Sequence, residues 1–206
     1  MRFKPVPEPL ADFETLETVY RALPAAVDDV DDCCAHLVEE TPLEDREEAA
    51  TWLTFLRALE LAVEESGSFR RRETGSSGDA AEPAVLERER LGRAFRARVD
   101  GADAVCAALE DAVERGSTSP DSQARQDAVE HGPTSPDSQA RRDADEPLTV
   151  AEVVERLRED GSSADRRRSG RPRVDPERTE RLLEWAVLLG LAERVDDGYR
   201  VALTRE

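Results

Sequence analysis

Lysine is almost missing from this 206-residue chain: Lys4 is its only one, and every other basic side chain is arginine. Aromatic residues make up 4% and apolar residues 38%. That is little for one compact body of this length, so the composition predicts small helical cores separated by solvated segments. No apolar run approaches a membrane span, and the N-terminus, Met1 to Pro5, lacks the apolar core of a signal peptide. A soluble, cytoplasmic protein is expected, with no membrane partner. Cysteine is scarce too. Cys33 and Cys34 lie near His36, but nothing supplies a second pair at zinc spacing, and Cys106 stands apart. All three fall within helical apolar patterns, where a free thiol behaves as a small hydrophobe. The chain also lacks a Gly-rich phosphate loop, a nucleophile elbow and a carboxylate cluster distinct from its acidic background. His36 and His131 are the only histidines, and no alternating strand–helix pattern supplies a dinucleotide-binding half. Neither catalysis, nor a metal, nor a cofactor is expected.

What is abundant is acid. Forty-seven Asp and Glu against 29 Lys and Arg give a net charge of −18. Surplus acid with a lysine deficit is the style of proteins that stay soluble in concentrated salt; the rival reading is an acidic protein that repels or mimics nucleic acid. At about 1 M salt the Debye length is roughly 3 Å, so repulsion of DNA phosphates is largely screened.

The most ordered pattern lies near the C-terminus. Asp175 is a good N-cap, Pro176 suits the first helical position, and Glu177 places an acid in the first turn. Leu182, Trp185, Ala186 and Leu189 recur at helical spacing before Gly190 stops the helix. Leu191 to Val195 and Tyr199 to Leu203 then flank Asp196-Asp197-Gly198, a hairpin turn. A helix over about Leu43 to Ala62, followed by a short hairpin, repeats this unit without a gap. Asp45 falls on Asp175, Trp52 on Leu182, Phe55 on Trp185, Leu59 on Leu189, Phe69 on Tyr199 and Arg70 on Arg200. A weaker echo, at a different spacing, lays Cys34 to Leu37 on Cys106 to Leu109.

The rest of the chain divides around these units. Residues 1–11, with Pro5, Pro7 and Pro9, read as an extended arm, and 12–72 as a first domain with helices at 12–23 and about 27–40. Residues 73–83 read as a flexible linker. A second domain, 84–206, opens with helices at about 84–99 and 102–115. It is interrupted at 116–147, where the segment Asp111 to Gln126 is followed at once by its near copy, Asp127 to Arg142. Rich in Ser, Pro, Asp and Gln, this insertion reads as disordered, with a doubled docking motif as the rival. At 148–158 order resumes: Thr149 and Glu152 form a capping box, and Val150, Val153, Val154 and Leu157 face inward. This helix competes with 102–115 for the place before the final helix; the echo favours 102–115, but 84–115 are read as the opening helices and 149–159 as the helix before the last.

Taken together, Val150 to Leu157, Asp175 to Leu183, Leu189 to Arg194 and Asp197 to Val201 resemble the winged helix-turn-helix superfamily, in the style of archaeal MarR-like or ArsR-like regulators. The resemblance covers 148–203 best and 12–72 more weakly. It implies a mainly α fold with short β wings, in two winged-helix-like domains. It also implies a double-stranded DNA partner. Arg178 and Arg181, one turn apart and opposite Leu182 and Leu189, are then candidates for base edges. Arg70, Arg71, Arg72 and Arg200 on the wings, with Arg166, Arg167, Arg168, Arg171 and Arg173 ahead of the last helix, are candidates for phosphates. Against this, Glu184 shares the face of Arg178 and Arg181, and the first copy's helix begins with Glu44, Asp45, Glu47 and Glu48. The alternative is a non-catalytic adaptor, in which the winged helices bind a protein partner or a second copy.

Overall fold

The computed structural model describes residues 3–9, 12–26, 32–72, 86–117, 147–164 and 174–202. The linker 73–83, most of the insertion and the arginines at 166–173 lie outside them. The first unit contains α1 (Phe13–Ala22), α2 (Cys33–Glu40), α3 (Arg46–Ala58), β1 (Ala62–Glu65) and β2 (Ser68–Arg71). The second contains α4 (Arg88–Arg98), α5 (Ala102–Ser117), α6 (Val150–Ala164), α7 (Pro176–Leu188), β3 (Ala192–Val195) and β4 (Gly198–Val201). Each strand pair is an antiparallel hairpin of its own.

Local chemistry sets the ends of these helices. The Asp45 carboxylate accepts from the Glu48 N–H at 2.8 Å, while Glu48 reaches back to the Glu44 N–H at 2.8 Å. The acids at the start of α3 therefore close its own N-terminus. Asp175 caps α7 through the Glu177 N–H at 3.2 Å. Thr149 and Glu152 close α6 reciprocally, the carboxylate taking the Thr149 N–H at 2.8 Å. Asp32 caps α2 through the Cys34 and Ala35 N–H groups. Those backbone bonds, chiefly the one from Ala35, with the Arg46 guanidinium beside it, hold the Asp32 carboxyl below its usual range.

The repeat extends to individual hydrogen bonds. Leu61 N–H donates to Leu56 O, and Leu191 N–H to Ala186 O, each at 2.8 Å. Arg72 N–H reaches Leu61 O, and Ala202 N–H reaches Leu191 O. The residue that turns each helix into its wing is left-handed in both copies, Glu60 at φ 62° and Gly190 at φ 74°. Arg71 N–H bonds Pro24 O, placing the segment before α2 beside β2; Leu148, just before α6, exchanges two bonds of 2.8 Å with Tyr199 on β4. Hence α6, and not α5, is the counterpart of α2, so the Cys34–Cys106 echo does not mark equivalent helices. Position relative to the wing, rather than the echo, identifies the partner. The second wing also turns more tightly than its sequence suggests. Val195 pairs with Gly198, leaving a two-residue turn of Asp196 and Asp197. Gly198 belongs to the strand: a Cβ there would lie 2.9 Å from Pro147 Cβ and 3.1 Å from Leu148 O.

The expectation of separate small cores is not met, because both units share one. Trp52 and Phe55 of α3 meet Trp185 of α7, with ring centroids 5.6 Å and 4.5 Å apart, and Phe95 of α4 stacks edge-on against Phe55 at 6.4 Å. All four are fully enclosed, within a continuous set of buried residues running from Phe3 to Tyr199. A scarce aromatic complement suffices because it is pooled at one junction. Cys33 and Cys106 are buried in that set. Cys33 donates weakly to Phe69 O, and burial pushes the Cys106 thiol up to about 11.

Candidate nucleic-acid interface

In a winged helix the helix before the wing is the natural candidate to enter a groove. Here those helices are α3 and α7, and their indoles and rings are packed against each other. Along α7 the exposed side chains are Pro176, Glu177 and Glu180; along α3 they are Arg46, Glu47 and Ala50. Arg46 in turn pairs with Asp32. The outward face of α7 therefore carries carboxylates.

Arg178 and Arg181 are half-buried beside Trp185 rather than opposite Leu182 and Leu189, which corrects the expectation that they leave α7 on the side away from the apolar stripe. The N-terminal arm, Phe3–Pro9, lies over them. Arg178 donates to Lys4 O and, at 2.8 Å, to Asp100 O. Arg181 donates to Val6 O at 3.5 Å, and Trp185 Nε1 to Pro7 O at 3.0 Å. Helical periodicity shows which side chains leave one face together but says nothing of what covers that face. Backbone carbonyls of a proline-rich arm leave no periodic signal. Glu184 is also occupied: it accepts from Arg194 at 2.8 Å and from the Tyr199 hydroxyl, tying the wing to α7. Burial, with the Glu184 carboxylate next to it, raises the Tyr199 hydroxyl well above its usual range.

The wing arginines Arg70 and Arg200 occupy equivalent places, and each pairs with a glutamate of the first strand of its wing, though at different positions. Arg70 meets Glu65 across the first hairpin at 2.6 Å, and Arg200 meets Glu193 across the second at 2.5 Å. The Arg70 guanidinium holds the Glu65 carboxyl below its usual range. Arg71 is half-buried, and Arg72 is exposed, 3.8 Å from Glu60. Arg166, Arg167, Arg168, Arg171 and Arg173 lie outside the described residues.

Sequence reasoning missed a second arginine centre at the junction of the units. Glu60 receives Arg98 at 2.6 Å and has Arg72 and Arg90 at 3.8 and 4.0 Å. The Phe3 ring sits between Arg57 and Arg98, each 5.4 Å from its centroid. A glutamate, Glu60, where the second copy has Gly190 was its one sequence signal. Among the described residues no group of His, Cys, Asp and Glu could hold a metal ion, and no helix is long and apolar enough to cross a membrane.

A family model, the halobacterial double winged helix domain, matches residues 1–142 and again 134–206. No curated protein and no solved structure matches the chain.

Proposed function

Since the chain belongs to the halobacterial double winged helix family, we propose that it is a DNA-binding regulator that grips duplex phosphates with arginines at its wings and ahead of its last helix. The observation that carries this reading is the matched pair Arg70 and Arg200, each on the second strand of a wing and each reaching across its hairpin. Arg71 and Arg72 extend the first wing, and Arg166, Arg167, Arg168, Arg171 and Arg173 form the most basic segment of the chain. Such contacts position a protein on DNA and release counterions without reading sequence. Each wing arginine must exchange its carboxylate for a phosphate oxygen, an exchange between two charge-assisted bonds of similar kind. Concentrated salt screens the repulsion that −18 charges would otherwise impose.

A second reading, a non-catalytic adaptor that binds protein, is favoured by the enclosure of α3 and α7, which withdraws both groove-entering helices into the core. Titrating labelled duplex DNA with the full chain at its working salt separates the two. Binding is expected, with a log–log salt slope that falls by about 0.9 for each phosphate contact removed. Replacing the five arginines at 166–173 by alanine, or Arg72 and Arg200 together, should flatten that slope. Wild-type binding no stronger than to an unrelated acidic protein would refute the DNA reading and leave the adaptor.

A further inference from the structure

The arm Phe3–Pro9 precedes the first helix, yet it touches three elements. Phe3 joins the α4–α5 junction through a parallel bridge to Val99, with Phe3 N–H on Arg98 O at 2.7 Å and Asp100 N–H on Phe3 O at 2.9 Å. Its ring reaches Arg57 of α3, and Lys4, Val6 and Pro7 lie on α7. The α7 donors, Arg178, Arg181 and Trp185, follow i, i+3, i+7 spacing and form one stripe. All of them meet main-chain carbonyls. Pro5, Pro7 and Pro9 have no N–H to donate and keep the segment extended without a ladder of its own.

We infer that the arm is a latch over Arg178 and Arg181, closed in the free protein and displaced by the phosphate backbone of duplex DNA. The inference rests on the DNA-binding reading and adds a regulation to it. A phosphate oxygen carries charge and forms a stronger bond with a guanidinium than the neutral carbonyls of Lys4 and Val6 do. Phosphate and arm therefore compete for the same donors. What keeps the latch shut without DNA is apolar: Phe3 and Val6 are each only 5% exposed. With the arm in place the competent form is a minor fraction, and apparent affinity falls in proportion to it. Displacing the arm releases Arg178 from Lys4 O and Arg181 from Val6 O, while Asp100 O keeps Arg178 in place.

Opening the latch in the full chain tests this. Val6→Asp removes the apolar anchor and replaces no arginine contact of the core; Phe3→Asp, tested separately, removes it together with the ring that Arg57 and Arg98 flank. Far-UV circular dichroism checks that each variant is folded, and acrylamide quenching of tryptophan reports whether Trp185 is uncovered. The expected result is folded protein, increased quenching and duplex binding at least ten-fold tighter than wild type. That gain should disappear when Arg178→Ala and Arg181→Ala are added. If wild type binds DNA and the opened variants bind no tighter, the latch is wrong and the DNA reading stands. If no form binds DNA, both fail. Loss of helical signal in both variants also overturns the latch, because the arm would then be a fixed part of the fold.

Discussion

Glu60 sets two known costs against each other at one residue, which makes the outcome of replacing it calculable. Its φ of 62° lies in the left-handed region, where the second copy has Gly190 at 74°. A non-glycine residue there costs roughly 1–2 kcal/mol. The Glu60 carboxylate offsets this through one close pair, Arg98 at 2.6 Å, and two long ones at 3.8 and 4.0 Å. Glu60 and Arg98 are both partly exposed, so the close pair is worth about 0.5–1 kcal/mol and the long ones almost nothing. Glu60→Ala loses the pair and keeps the strain, a net loss of about 0.5–1 kcal/mol. Glu60→Gly loses the same pair and sheds about 1 kcal/mol of strain, so it should lie close to wild type. Alanine should therefore melt below glycine by roughly 2–4 °C in thermal denaturation at fixed salt. Gly190→Ala supplies the control, since nothing lies within 4 Å of the added Cβ and its cost is conformational alone. Raising the salt weakens the pair and should move Glu60→Gly upward relative to wild type. Equal midpoints for the alanine and glycine variants would refute the strain.

Trp185→Ala removes a fully enclosed indole at the junction and should cost about 3–5 kcal/mol; because the core is shared, both halves should still melt in one transition, and two resolved transitions would contradict the shared core. Alkylation of the native protein at pH 8 should modify half-buried Cys34 well before Cys106, whose thiol stays protonated to about pH 11, and denaturant should erase the difference. Mass mapping that finds Cys106 labelled first would count against its burial. The Thr149 N–H and hydroxyl hold the Glu152 carboxyl below its usual range. A depressed carboxyl contributes stability above its unfolded pKa of about 4.3 and loses it as pH falls through the folded value. Denaturant midpoints of wild type and Glu152→Gln should thus converge as pH falls below the unfolded value of about 4.3, and a gap that stays constant with pH would exclude the capping charge.

Much of the fold was legible because it is written in local chemistry. Asp45, Asp175 and Thr149 announce helix starts by side-chain hydrogen bonding, and the hairpins follow from left-handed turn residues such as Ser66 and Asp196. The 130-residue offset between the copies survives because each must fill the same angle between helix and wing. How the copies meet was not legible. Trp52, Phe55 and Trp185 have the periodicity of an inward face whether that face closes on its own unit or on the neighbour. The candidate site suffered for the same reason. Arg178 and Arg181 do not stand opposite the stripe as read: they share the side of Trp185, where a seven-residue segment more than 170 positions away covers them through main-chain atoms. Arg70 and Arg200 could be paired from the alignment, but their carboxylate partners could not: Glu193 stands opposite Arg200, whereas Arg70 stands opposite Val63 and reaches diagonally to Glu65.

The aromatic junction has a consequence for how the two halves can change. Subunits that associate from solution separate on dilution and must present identical surfaces, since one gene encodes both. Here the partner is tethered, so the pairing is indifferent to protein concentration. Each half is also free to mutate alone: Glu60 faces Gly190, and Trp52 faces Leu182, across the same internal repeat. The molecule can therefore offer two dissimilar faces to an asymmetric target, where a self-associating winged helix would offer the same face twice.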